Sequence, residues 1–269
     1  MKAFLVHLGY DFRTGFRDKS KLLMYYLFPG VFFLIVGGLM SSINPGFKDL
    51  LVPAMTLFAF MSSTLMTIPS QLVAAREAGV FRSFRINGVP SASVLAIPTV
   101  STAAHMAVAA AAICAVGVLA YGAKAPAESA LFAVTALLSY AAYAGIGVLI
   151  GAAAASGTVA ILAGQLVFIP SIILGGLMIP ASALPPALAR LSLLLPASHC
   201  MRALEWACAP GSIPLPWVSI GTLAACAAIC FGLAAFVFQW DARSSSPSRR
   251  AWTAFLGIVP FALAALAGA

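Results

Sequence analysis

Residues 22–40, LLMYYLFPGVFFLIVGGLM, form an uncharged apolar run of 19 residues. A helix needs about 20 apolar residues to cross the hydrocarbon core of a bilayer. The whole chain has this character, since 62% of its 269 residues are hydrophobic and 8% are charged, whereas soluble domains are about 45–50% apolar and about 25% charged. The runs do not alternate, so we expect an all-α polytopic membrane bundle and no β-barrel.

Five further apolar runs give six predicted spans, at 22–40, 50–70, 91–120, 129–153, 159–179 and 217–240. Residues 252–269 form a final apolar stretch of 18 residues, which is marginal as a seventh helix. The predicted division is therefore an interfacial helix at 1–21, a six-helix transmembrane domain at 22–240, and a polar linker with an apolar helix at 241–269.

The first 21 residues predict an amphipathic helix that lies in the membrane interface. Apolar residues recur every four positions, which aligns them in one stripe on a helix. The stripe consists of Phe4, Leu8, Phe12 and Phe16, and the basic residues elsewhere on the surface are Lys2, Arg13, Arg17 and Lys19. A flexible basic tail is the alternative interpretation.

The basic residues predict the orientation of the chain. With a cytoplasmic N-terminus, only Lys48, Lys124, Arg190 and Arg202 lie outside, which leaves eleven of the fifteen basic residues inside. This distribution follows the positive-inside rule and favours a multi-pass protein of the bacterial inner membrane. It also accounts for the net charge of +8 through topology, so we expect membrane lipids and no nucleic acid as partners.

The six predicted spans contain no Lys, Arg, Asp or Glu, although ion-coupled transporters usually carry such groups. His105 is the one residue in the predicted spans that could titrate near neutrality. A histidine in this position more often forms a contact between helices than a proton relay. The chain has no P-loop motif, no serine triad and no metal-ligand spacing. We therefore expect no catalytic site, no metal and no cofactor in this chain.

Residues 71–90, QLVAAREAGVFRSFRINGVP, suggest a docking segment. We expect a short helix from Ala74 to Ile86, ended by Asn87-Gly88. Phe81 and Phe84 would share its apolar face, while Arg76, Arg82 and Arg85 would form charged handles. An apolar anchor with a charged rim suits a cleft on a cytosolic protein. An ordinary positive-inside loop is the alternative.

Residues 180–216 contain seven prolines between short apolar pieces. These pieces are too short to cross a bilayer. They favour helices that enter the membrane and return, sheltered by protein. An extramembrane loop with surface helices is the alternative.

Motifs in a fixed order show that the chain resembles the permeases of type-2 ABC exporters over about residues 1–240. They are the basic stretch Arg13, Arg17, Asp18 and Lys19; Phe28-Pro29; Arg76, Glu77 and Gly79; Phe84, Arg85, Gly88 and Pro90; Gly175 to Pro180; Leu184 to Pro186; and Leu195-Pro196.

The resemblance implies two six-helix halves, from a second copy or a homologous permease, each engaging a cytosolic ATPase that holds ATP and Mg²⁺. It implies a re-entrant gate, with Pro180, Leu184, Pro185 and Pro196, and an interfacial helix, with Phe12, Arg13, Arg17 and Lys19. It also implies a coupling helix, which assigns ATPase contact to Arg76, Glu77, Gly79, Phe81, Arg82, Phe84 and Arg85.

The second and fifth spans would line the pathway. Their candidate residues carry no charge and are Phe58, Phe60, Met61, Ser62, Thr64, Gln165 and Phe168. This favours export of a hydrophobic or amphipathic cargo, such as a drug (multidrug efflux), a peptide or a lipid-linked molecule. An ATP-independent secondary transporter or channel is the alternative function.

Overall fold

The computed structural model describes residues 2–44, 46–180, 183–211, 213–241 and 251–267. These residues form helices and turns without β-strands, and six of the helices are long and apolar enough to cross a membrane. We call them the first to sixth spans: Lys19–Ile43, Phe47–Glu77, Ser91–Tyr121, Ser129–Ala153, Gly157–Leu174 and Trp217–Val237. The expected six-span helical bundle is confirmed.

The spans differ from their predicted bounds mainly at two ends. The second span continues to Glu77, well into the segment expected as a loop. The fifth span ends at Leu174, since Gly176, with a positive φ of 90°, turns the chain out of the helix, and the capping residue Gly175 lies very close to its neighbours. A Cβ atom there would collide with the Ser171 carbonyl and with Ala197, so the close approach requires glycine.

The second span is the centre of the bundle, because 94% of its apolar window is buried inside the chain. The fourth and fifth spans approach its backbone through glycines. A Cβ atom on Gly147 would collide with the Thr64 carbonyl, and one on Gly164 would meet the Leu65 carbonyl. The first, third and fifth spans are only 28%, 28% and 22% buried, as expected for helices that face lipid.

One π-helical turn interrupts each of the first two spans, at Leu23–Leu27 and Ser63–Thr67. Each turn precedes a proline, Pro29 or Pro69. A proline donates no backbone hydrogen bond and clashes with the carbonyl of the turn before it, and a local change of helix type relieves both problems. Ser63 and Thr64 donate their hydroxyl protons to the Phe60 carbonyl at 3.0 and 2.6 Å.

Shorter helices complete the fold. An N-terminal helix, Lys2–Gly15, packs against the third span, and a loop helix, Val80–Ile86, follows the second. Two proline-flanked helices, Pro186–Ser192 and Pro196–Cys208, precede the sixth span. The C-terminal segment consists of a 3₁₀ helix, Ala251–Ile258, and an α-helix, Val259–Leu266. Except for Asp241, the predicted linker at 241–250 lies outside the described residues.

Candidate functional site

The loop helix begins after a sharp change of direction at Gly79. This residue has a positive φ of 73°, a left-handed conformation that glycine adopts readily. The second span therefore ends at Glu77 and the chain turns at once into Val80–Ile86. Gly88, with a φ of 70°, ends the loop helix before the third span.

Two aromatic contacts attach the loop helix to the rest of the chain. The ring of Phe81 is only 4% exposed and lies 5.4 Å from the ring of Phe238, just past the sixth span. The ring of Phe84 lies 5.3 Å from the ring of His7 on the N-terminal helix. The aromatic face that the sequence suggested for docking is thus turned inward, because Phe238 and His7 provide it with partners in the same chain.

Asp241 pairs with the loop helix from the end of the sixth span. Its carboxylate accepts a hydrogen bond from Nε of Arg82 at 2.9 Å and lies 3.8 Å from Nη1 of Arg85. All three side chains are more than half exposed, and such pairs contribute at most about 1 kcal/mol. The two arginines therefore remain accessible to a partner.

Arg76 has a different place from the other two arginines. It is 3% exposed, and its guanidinium donates hydrogen bonds to the carbonyl oxygens of Ala152 and Ala154 at the end of the fourth span. The last carbonyls of a helix have no partner within it, and Arg76 supplies one. The sequence suggested a handle for a partner protein, whereas the structure shows a side chain that caps a neighbouring helix.

The remaining face of the loop helix and the last residue of the second span, Glu77, are open to solvent. Glu77, Ser83 and Ile86 are exposed, and the Ile86 side chain is 80% exposed although it is apolar. Together with Arg82 and Arg85, they form a small apolar and charged surface, which we call the loop surface. It has the composition of a contact with another protein.

The N-terminal helix is attached to the third span through His105, whose side chain is fully buried. Its Nε2 atom donates to the Phe12 carbonyl at 3.2 Å, and its Nδ1 atom accepts from the Tyr26 hydroxyl at 2.7 Å. The Phe12 ring stacks on the imidazole at 4.6 Å, and Gly15 lies directly against it. These contacts make His105 a helix-contact residue, the more ordinary of the two roles considered above.

A second contact lies where the N-terminal helix meets the first span. The ammonium group of Lys21 lies 3.2 Å from the carboxylate of Asp11. Asp18 caps the first turn of the span through its carboxylate, which accepts from the backbone amides of Ser20 and Lys21. Of the interfacial residues named from the sequence, Phe12 is half-buried, while Arg13, Arg17 and Lys19 are exposed.

The candidate pathway residues lie inside the single chain. Phe58 is the centre of an aromatic cluster: its ring stacks on Phe32 at 3.8 Å and lies 5.5 Å from Phe28 and 5.7 Å from Phe168. The structure thus brings Phe58 and Phe168 together from the second and fifth spans. Phe60, Met61, Ser62 and Thr64 are also buried, and Gln165 is half-buried.

The candidate gate residues lie around the proline-flanked helices. Pro196 is buried at the start of the second such helix, Pro180 and Leu184 are half-buried, and Pro185 is exposed. His199 connects this helix to the sixth span, since its imidazole lies 3.1 Å from the Ser219 hydroxyl and 2.9 Å from the Leu193 carbonyl. Burial lowers the pKa of His199.

Sequence reasoning missed Phe238, Asp241 and His7, the partners of the loop helix. An available signal was the single acidic residue that follows the aromatic end of the sixth span, since its charge is opposite to that of the loop arginines. For metals, the part of the chain that the structure describes contains no group of three His, Cys, Asp or Glu side chains able to hold an ion.

The six long apolar helices define a multi-pass membrane protein. The sequence model of the family described as "ABC-2 type transporter" matches residues 2–207. The chain therefore belongs to the ABC-2 type transporter family and is a membrane subunit of an ABC transporter. The sixth span and the C-terminal segment lie beyond the matched residues. No curated protein and no solved structure matches the chain.

Proposed function

We propose that this chain is the membrane subunit of an exporter that moves a hydrophobic or amphipathic molecule across the bacterial inner membrane, driven by a separate cytosolic ATPase. The loop surface carries this proposal. It lies at the end of the most deeply buried span, and its inward face is already attached through Phe81 and Phe84. Its open face is thus held in place for a partner protein.

The partner supplies the energy. No P-loop motif occurs in the sequence, so ATP and Mg²⁺ bind to the partner chain and this chain has no catalytic site. Movement of the ATPase is passed to the loop helix, and from there along the second span, whose end is joined to the fourth span by Arg76.

Two copies of the chain, or this chain and a homologous permease, form the pathway between them. The least buried span is the fifth, at 22%, and it carries exposed apolar side chains such as Leu162 and Leu166. It lies next to the second span, where Phe168 contacts Phe58. This arrangement supports a dimer in which the fifth span lies between the second permease and the candidate pathway residues.

The absence of charged side chains among the candidate pathway residues favours an apolar cargo. Phe60 also lines a groove of about 780 Å³ between the third and fourth spans, whose walls include Met106, Ala110, Phe132 and Tyr140. At the opposite end from the loop surface, the proline-flanked helices form the gate that closes the pathway.

A pull-down of the tagged chain from its native host in mild detergent tests the proposal. We expect a soluble P-loop ATPase at a ratio near one to one, lost in Glu77→Lys and Ile86→Asp, because both side chains lie on the loop surface and make no core contact. Lys124→Gln, at the opposite end of the bundle and also exposed, is the matched control.

The ATPase activity of the recovered complex provides a second readout. Arg82→Ala combined with Glu77→Ala should uncouple ATP hydrolysis from transport. Recovery of the chain alone, dimeric and without ATPase, would instead favour the ATP-independent transporter or channel.

A further inference from the structure

The C-terminal segment is long enough to cross a bilayer despite its few residues. It contains eight 3₁₀ residues and eight α-helical residues. At about 2.0 and about 1.5 Å per residue, these give a length of about 28 Å, close to the hydrocarbon thickness of about 30 Å. No charged residue occurs between Ala251 and Leu266.

Contacts at two levels establish the direction of the segment. Gly257 lies against Cys230, since a Cβ atom there would be 3.1 Å from the cysteine sulfur. Farther along, the ring of Phe261 lies 5.7 Å from the ring of His199, which is hydrogen-bonded to Ser219 near the start of the sixth span. The segment therefore runs antiparallel to the sixth span, towards the end at Trp217.

The last turns of the segment form one wall of a pocket of about 780 Å³. This volume falls within the range of about 300–1,000 Å³ that is typical of ligand sites. The wall from the C-terminal segment consists of Ala262, Ala265 and Leu266, and the proline-flanked helices provide Ala187, Ala189, Arg190, Leu191, Leu193, Leu194 and Arg202. The pocket thus combines apolar side chains with two guanidinium groups.

The charge of this pocket comes from its two guanidinium groups. Neither Arg190 nor Arg202 belongs to an ion pair among the described residues. Glu205, one turn beyond Arg202, interacts with it electrostatically without close contact. Two like charges that line one apolar pocket favour an anion between them, and guanidinium groups suit phosphate because they form paired hydrogen bonds with it.

We propose that the C-terminal segment crosses the membrane as a seventh span and completes a pocket that binds an anionic phospholipid. The phosphate lies between Arg190 and Arg202, and an acyl chain lies along Leu191, Leu194 and Leu266. The assignment of the pocket to the outer leaflet rests on the orientation given under the proposed function. The crossing itself does not depend on that orientation.

A pair of reporters tests the crossing. Alkaline phosphatase, which folds only outside the cytoplasm, is inserted after Arg250 or fused after Ala269, and a fluorescent protein that fails outside is placed at the same two positions. We expect opposite signals at the two positions. Equal signals would overturn the seventh span. A reversed orientation of the whole chain would exchange the signals without making them equal. It would contradict the proposed function and the assignment to the outer leaflet, but not the seventh span.

Native mass spectrometry of the purified full chain tests the ligand. Phosphatidylglycerol should be retained in preference to phosphatidylcholine. Arg190→Gln and Arg202→Gln should each weaken retention roughly fivefold, the factor expected for one basic residue near an anionic lipid. Ala262→Trp should also weaken it by filling the pocket while both arginines remain.

Lys48→Gln, which removes a charge that does not line the pocket, is the matched control and should change nothing. Arg190→Lys conserves the charge and should keep most of the binding, which separates loss of charge from loss of folding. Equal retention of the two lipids, or retention unchanged in both glutamine variants, would overturn the proposed ligand.

Discussion

The buried guanidinium of Arg76 donates a hydrogen bond to the carbonyl oxygen of Ala154, where the fourth span ends. The two residues lie far apart in sequence, and their contact joins the end of the central span to the end of a neighbouring one. Arg76 thus caps the fourth span and also connects it to the second span. This connection lies immediately before the loop surface.

Arg76→Ala should lower stability by about 1–3 kcal/mol, because it leaves buried carbonyl groups at the end of the fourth span without a donor. The thermal unfolding midpoint of the purified chain measures this. Arg82→Ala is the control, since its side chain is 67% exposed, and it should change stability by less than about 1 kcal/mol. Equal effects of the two substitutions would contradict the capping role.

Gly15→Ala should loosen the N-terminal helix, because the new Cβ atom would collide with the imidazole of His105. Overpacking of this kind costs about 1–3 kcal/mol. The measurement is hydrogen exchange of the amides in Lys2–Gly15. Gly9→Ala on the same helix has open space around it and should slow exchange slightly through helix propensity. Faster exchange in both variants would argue against a specific contact.

Gly147→Ala should destabilise the bundle, because the fourth span could no longer approach the Thr64 carbonyl of the second span. We expect a lower thermal midpoint, equivalent to about 1–3 kcal/mol. Gly221→Ala on the sixth span, where nothing lies within 4 Å, should be neutral or stabilising. A neutral Gly147→Ala would show that the two spans are not closely packed.

Glu205 predicts a pH dependence of stability. Burial raises the pKa of its carboxyl group from 4.5 to about 6, with the nearby charge of Arg202 opposing the shift. Because the folded chain favours the protonated form, the stability is greatest at low pH and falls as the pH rises from about 4.5 to about 6.

Glu205→Gln should remove this dependence and raise the thermal midpoint at pH 7. The comparison requires midpoints across this pH range for both proteins, with the exposed Glu128→Gln as the control. If the difference in thermal midpoint between wild type and Glu205→Gln did not vary with pH, the raised pKa of Glu205 would be refuted.

The spans could be predicted from the sequence because a helix that crosses lipid needs a long run of apolar residues, and such runs are visible in the sequence. The bounds of the fourth span, Ser129 and Ala153, are the predicted ones. Turn residues also predicted the end of the loop helix at Gly88, whereas the expected continuous helix from Ala74 to Ile86 is wrong, because the chain changes direction at Gly79. Hydropathy and turn residues are local properties, so a single sequence carries them.

The inward and outward faces of the loop helix could not be predicted in the same way. Phe81 and Ile86 are both large apolar residues of one short helix, yet they are 4% and 80% exposed. What distinguishes them is the ring of Phe238, which is distant in sequence and close in space. The role of Arg76 depends on the fourth span for the same reason.

The π turn at Ser63–Thr67 determines where the second span tolerates the loss of a residue. A π turn closes its hydrogen bonds over one residue more than an α-helical turn. A one-residue deletion within it would leave ordinary α-helix and keep the orientation of Ile68–Glu77. The same deletion at another position of the span would rotate that part by about 100° and turn Arg76 away from the fourth span.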